Sequence, residues 1–112
     1  MAGRIHRITM FKLPDPEGQQ KLIDAYKTLG QKQKKDGKPY ILSMTTGPAM
    51  EDPRSQGWTV VSKTEFASLN DMKYYDDQCE AHAELKSLAK GLGIQGGPAG
   101  VMTVYFEAAA TL

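Results

Sequence analysis

The stretch Arg4–Leu13 carries apolar residues on both sides of a two-residue alternation, and nothing else in the 112-residue chain limits the fold as strongly. Read as a strand, it sets His6, Ile8 and Met10 on one face. Ile5, Thr9, Phe11 and Leu13 take the other face, interrupted by Arg7. Pro14 and Pro16 close the strand, because proline cannot donate to a ladder. A strand that is apolar on both faces has to be covered on both. The rest of the chain must supply those covers, or a second chain must.

The following stretch changes period. Leu22, Ile23, Tyr26 and Leu29 fall at helical spacing between Glu17 and about Lys35, with Asp15 placed to cap the start and Pro16 at the first helical position. Asp36-Gly37 is the expected end. Tyr40–Thr46 reads as a second strand, stopped by Gly47-Pro48, and Ala49–Gln56 as a polar loop. In a third strand, Trp58, Val60, Ser62, Thr64 and Phe66 alternate with Thr59, Val61, Lys63 and Glu65. Ser68 is the N-cap of a second, long helix whose inner face is Met72, Tyr75, Cys79, His82, Leu85 and Leu88 or Ala89. That helix is expected to run unbroken to Gly91-Leu92-Gly93. A turn at Gly96-Gly97-Pro98 leads into a last strand, Gly100–Phe106.

The order is therefore β-α-β-β-α-β, the ferredoxin-like plait of α+β type: a four-stranded antiparallel sheet with two helices on one face. Two helices cover one face only. A second copy of the chain is the economical cover for the other, so the sequence predicts a homodimer.

Composition excludes several alternatives. Fourteen Lys and Arg against 13 Asp and Glu give a net charge of +1, too balanced for a dedicated nucleic-acid binder. The basic run Lys32-Gln33-Lys34-Lys35 reads as a solvated helix end, with no aromatic residues interleaved. No apolar run approaches the ~20 residues of a membrane span, and Met1–His6 lacks the apolar core of a secretory signal. The single cysteine, Cys79, allows no intrachain disulfide and favours a cytoplasmic setting. The expectation is one domain over 1–112, with its core at about 4–107.

With these residues placed, the sequence resembles the stress-responsive A/B barrel family, a branch of the dimeric α+β barrel superfamily. The resemblance is carried by Ile5-His6-Arg7-Ile8-Thr9-Met10-Phe11-Lys12, by Gly57-Trp58 leading to Thr64-Glu65-Phe66-Ala67-Ser68-Leu69, and by Tyr74-Tyr75 followed by Glu80-Ala81-His82. It implies two sheets packed face to face across a dimer, with a cavity between sheet and helices or within the barrel. It also implies chemistry without metal or organic cofactor of the kind a plant polyketide cyclase of this family performs. In that chemistry a helix histidine, a nearby tyrosine and a first-strand histidine act together. By motif position these are His82, Tyr75 and His6.

The residues themselves leave alternatives open. His82 on the apolar helix face can be a base if a cavity reaches it, or a buried histidine bonded to a carbonyl or a tyrosine. His6 can orient a ligand carbonyl or sit at a strand end. His6 and His82 have no third residue spaced to complete a metal site. Tyr26, Met72, Cys79, Ile8 and Met10 are candidate ligand contacts, and at their spacing equally plain core. Two functions follow: a protein that binds a hydrophobic or aromatic small molecule and acts on it by cofactor-free acid–base chemistry, or a non-catalytic stress-associated protein whose barrel core is filled by its own side chains.

Overall fold

The computed structural model describes residues 3–112. The elements run β1 (Ile5–Phe11), α1 (Pro16–Lys32), β2 (Ile41–Pro48), a 3-10 turn (Pro53–Ser55), β3 (Val60–Phe66), α2 (Leu69–Asp77), α3 (Glu80–Lys90), a second 3-10 turn (Gly97–Gly100) and β4 (Val101–Glu107). The strands form one antiparallel sheet in the order β2-β3-β1-β4. This is the α+β plait that the element order predicts.

Capping follows the sequence closely at two helix starts. Asp15 accepts the amides of Glu17 and Gly18, and Ser68 accepts that of Asp71. The end of α1 comes three residues earlier than expected, at Lys32. There the Gln33 side-chain oxygen turns away to accept the amides of Tyr40 and Ile41, while Lys35 and Lys38 close a turn around left-handed Asp36 and Gly37. Gly100 enters β4 where a Cβ would run into the Gln95 carbonyl and Ile94.

The expected long second helix is in fact two, so three helices rather than two lie on the sheet. The amides of Gln78 and Cys79 both bond the Tyr74 carbonyl. That leaves the Tyr75 carbonyl without the amide that a continuous helix would give it. His82 Nδ1 takes its place at 2.8 Å. The break preserves phase, and Met72, Tyr75, Cys79, His82, Leu85 and Ala89 are all buried.

The strand register sorts the two sheet faces. Ile5, Arg7, Thr9 and Phe11 lie beside Phe66, Thr64, Ser62 and Val60, all buried beneath the helices. Leu22, Tyr26 and Leu29 of α1 close over them. His6, Ile8 and Met10 point to the outer face with Val61, Met102, Val104 and Phe106. Among the described residues no element covers that face, and Met102, Val104 and Phe106 are 44–51% exposed.

Candidate functional site

Between the inner face of the sheet and the helices, toward the β4 edge, lies a cavity of about 480 Å³. β1 contributes Arg7, Thr9 and Phe11, α1 contributes Tyr26, and α3 contributes His82, Leu85, Lys86, Ala89 and Lys90. Ile94, Pro98, Val101 and Thr103 complete most of the wall. Apart from the cations, His82 and a few hydroxyls, this lining is apolar, the surface expected of a site for a small organic molecule.

His82 is 4% exposed and stacks on the Tyr75 ring, with centroids 3.7 Å apart and planes 10° from parallel. A carbonyl can only accept, so Nδ1 carries the proton and donates it to the Tyr75 carbonyl. Nε2 is then the unprotonated nitrogen left for a ligand. Burial pushes the His82 pKa down to about 4, helped by the positive charges of Arg7 and Lys86 and opposed by the bond to the Tyr75 carbonyl. At neutral pH the ring is an uncharged base in a fixed tautomer.

Arg7, which interrupts the apolar face in the sequence, is a charged residue held in the core. It is 7% exposed. Nη2 bonds Asp76 Oδ1 at 2.8 Å, Nη1 donates to Thr9 Oγ1 at 2.8 Å, and the guanidinium carbon lies 5.0 Å from the centre of the Tyr75 ring. Nε is buried with no hydrogen-bond partner among the described residues. A buried charge with a spare donor at a cavity is a site signal of its own. The hint in the sequence was a charged residue at the same strand parity as Ile5, Thr9 and Phe11.

Tyr26 also lines the cavity. Burial raises its hydroxyl to a pKa of about 12, against the opposing effects of Arg7 and Ser62, so it stays a neutral donor.

The other expected site residues are placed differently. Tyr75 is fully buried behind His82 rather than on the cavity wall. Its hydroxyl has no partner among the described residues, and burial holds its pKa above the usual phenol range. Tyr75 therefore positions the imidazole through its ring and its carbonyl. Removing the hydroxyl in Tyr75→Phe relieves a buried unsatisfied group and should raise stability by about 1 kcal/mol in urea denaturation at pH 7. A loss of that size would show the hydroxyl to be satisfied in solution.

Met72 and Cys79 are core residues, and neither lines the cavity. His82 bonds the Tyr75 carbonyl, not the Cys79 thiol, so no thiol–imidazole pair forms. His6 does not join His82. It faces the outer side of the sheet, stacked on Phe106 at 5.1 Å with Nδ1 3.7 Å from Glu65 Oε1. Ile8 and Met10 share that outer face. Among the described residues, no three His, Cys, Asp or Glu side chains converge to hold a metal, and no helix is long and apolar enough to cross a membrane.

The family model of the stress-responsive A/B barrel domain matches residues 5–92. The chain belongs to that family. A curated relative, the Fusaristatin A biosynthesis cluster protein of Gibberella zeae, is 46% identical over 99% of this chain and 78% of its own length. Among solved structures, a dimeric ferredoxin-like protein of Jannaschia sp. CCS1 aligns with a TM-score of 0.75 at 14% identity, over 95% of this chain and 100% of its own. SnoaB, a cofactor-independent oxygenase of Streptomyces nogalater, aligns with a TM-score of 0.70 at 12% identity, over 99% and 98%. These structural likenesses establish the ferredoxin-like α+β fold of the chain.

Proposed function

We propose that the functional unit is a homodimer joined through the outer sheet face. Each inner cavity then binds a hydrophobic or aromatic small molecule and acts on it by acid–base chemistry without a cofactor. One observation carries the reading: a neutral His82, its Nδ1 tied back to the Tyr75 carbonyl, borders an apolar cavity with Nε2 unprotonated. The 46% identical relative, a biosynthesis cluster protein, supports a biosynthetic metabolite as the ligand. The exposed apolar stripe Met102–Val104–Phe106, beside Ile8 and Met10, supports the pairing of two sheets. Cys79, a free thiol inside the core, goes with a cytoplasmic setting.

The chemistry is a proton transfer followed by ring closure. His82 Nε2 takes a proton from the carbon between two carbonyls, and the electron pair of that C–H bond becomes an enolate. Tyr26, a neutral hydroxyl donor on the cavity wall, is the group available to the enolate oxygen. The enolate carbon bonds to a second carbonyl carbon of the same molecule. The imidazolium then returns its proton to the new alkoxide.

A second reading rests on the same histidine. The bond from Nδ1 to the Tyr75 carbonyl closes the end of α2, and a purely structural His82 would need nothing more. A thermal-shift screen with aromatic and linear polyketide-like compounds distinguishes the two. A ligand at a hundredfold excess over its Kd stabilises the native state by about 2.7 kcal/mol, a Tm shift on the order of 10 °C. A Tm that no compound of this class moves would favour the structural reading.

A further inference from the structure

The cavity wall holds three cations and no carboxylate. Arg7 comes from β1, and Lys86 and Lys90 from α3. Asp76 balances Arg7 from behind, outside the cavity wall. Lys86 Nζ donates to the Asp76 backbone carbonyl at 2.9 Å, which anchors it beside that pair, and neither Lys86 nor Lys90 forms an ion pair among the described residues. Two positive charges are thus unbalanced at this cavity in a chain whose net charge is only +1. The arrangement is graded from outside to inside: Lys86 and Lys90 are solvent-exposed, while Arg7 is buried with Nε–H unpartnered. An apolar volume with exposed cations outside and a spare guanidinium donor inside matches a molecule that is apolar in body and anionic at one end.

We propose that the ligand of this cavity is an amphiphilic acid. Its body packs against Phe11, Leu85, Ile94 and Val101, and its single carboxylate or equivalent anion is held by Arg7, Lys86 and Lys90. This deepens the small-molecule reading given above and rests on it. It adds a substrate class: the molecule arrives with a free anionic group. It also gives Arg7 a recognition task that is separable from the base, His82.

The test uses two probes of nearly one shape, 2-naphthoate and 2-naphthamide, which differ in charge. Binding of each to the intact protein is followed by amide chemical shifts at Ala89, Ile94 and Thr103, on the cavity, and at Ile8 and Val104, on the outer face. The expected result is cavity-side shifts for both probes, with the naphthoate bound about tenfold more tightly at low salt and the advantage shrinking as salt rises. In the Lys86→Met/Lys90→Met double variant, whose changes are on exposed positions and leave the core packing alone, the naphthoate-to-naphthamide affinity ratio should fall toward one. Arg7→Met, if it folds, should lower the ratio as well. Equal affinity of the two probes for the wild-type cavity would overturn the acidic-ligand proposal and leave the small-molecule reading standing. A ratio that the double variant does not change would overturn the assignment of these cations. Shifts confined to the outer face, or none, would overturn the cavity reading and the proposal together.

Discussion

Acidification from pH 6.5 to pH 4 is expected to cost the folded chain roughly 3 kcal/mol through His82 alone, and His82→Asn should remove that loss. The folded ring is held near a pKa of about 4, whereas the unfolded ring titrates near the ordinary histidine value of 6.5. Below pH 6.5 the unfolded chain takes up a proton that the native chain does not. The contribution is therefore fully present above pH 6.5, falls as pH drops, and is gone below about 4. Asparagine places an amide N–H near the position of Nδ1, so it can still donate to the Tyr75 carbonyl, and it does not titrate. Alanine leaves that carbonyl without its partner and opens a hole beside the Tyr75 ring, which should cost about 2–4 kcal/mol at pH 7. Urea denaturation of the three proteins between pH 7 and pH 4 measures all of this. Both variants lack Nε2, so both should lower turnover of a converted ligand by about 10²–10⁴-fold. Asparagine thus separates the base from the helix cap. A full acid loss in His82→Asn would show that the loss does not come from the His82 ring, and undiminished turnover would sink its role as base.

The elements that could be read in the sequence carry their own punctuation. Pro14 and Pro16 end β1 and Asp15 and Ser68 cap helices, whereas Gly47-Pro48, expected to stop the second strand after Thr46, pair with Val61 and Val60 as the last two residues of β2. The break between α2 and α3 has no such mark. No glycine or proline lies between Leu69 and Lys90, and the apolar phase runs straight through Cys79. What stabilises the break is a tertiary bond from His82 to a carbonyl seven residues back, and periodicity does not record such a bond. The two short helices keep the register of one long helix, so the face that periodicity predicts to be buried is buried.

The site was harder to read for a related reason. Alternation sorts residues into two faces but does not say which face the chain's own helices will cover. Both parities of β1 are apolar, so His6 and Arg7 were equally eligible for the interior. Packing decides it: Tyr26 of α1 and Tyr75 of α2 close over Arg7, and His6 is left on the outer side. The catalytic trio implied by the resemblance therefore separates in the structure. His82 lines the cavity with Tyr75 behind it, Tyr26 is the tyrosine on the wall, and Arg7 occupies the inner side of the first strand.

The uncovered face leads to the second large expected effect: Val104→Glu should convert a micromolar dimer into a monomer. Val104 is 51% exposed and sits opposite Ile8, between Met102 and Phe106 on the outer side of β4. In a two-fold dimer each substitution acts twice, so one change buries two carboxylates against apolar surface. Each unpaired buried charge costs several kcal/mol, and a total near 6 kcal/mol weakens association by about 10⁴-fold. Leu88→Glu is the control, because Leu88 is 45% exposed at the groove between α1 and α3, on the opposite side of the sheet. Light scattering coupled to size exclusion at micromolar concentration should report a dimer for the wild type and Leu88→Glu and a monomer for Val104→Glu. A wild-type monomer would remove the second copy as the cover of this face. A dimer that survives Val104→Glu but not Leu88→Glu would move the interface to the helices, and the apolar outer face of β1 and β4 would then need another cover.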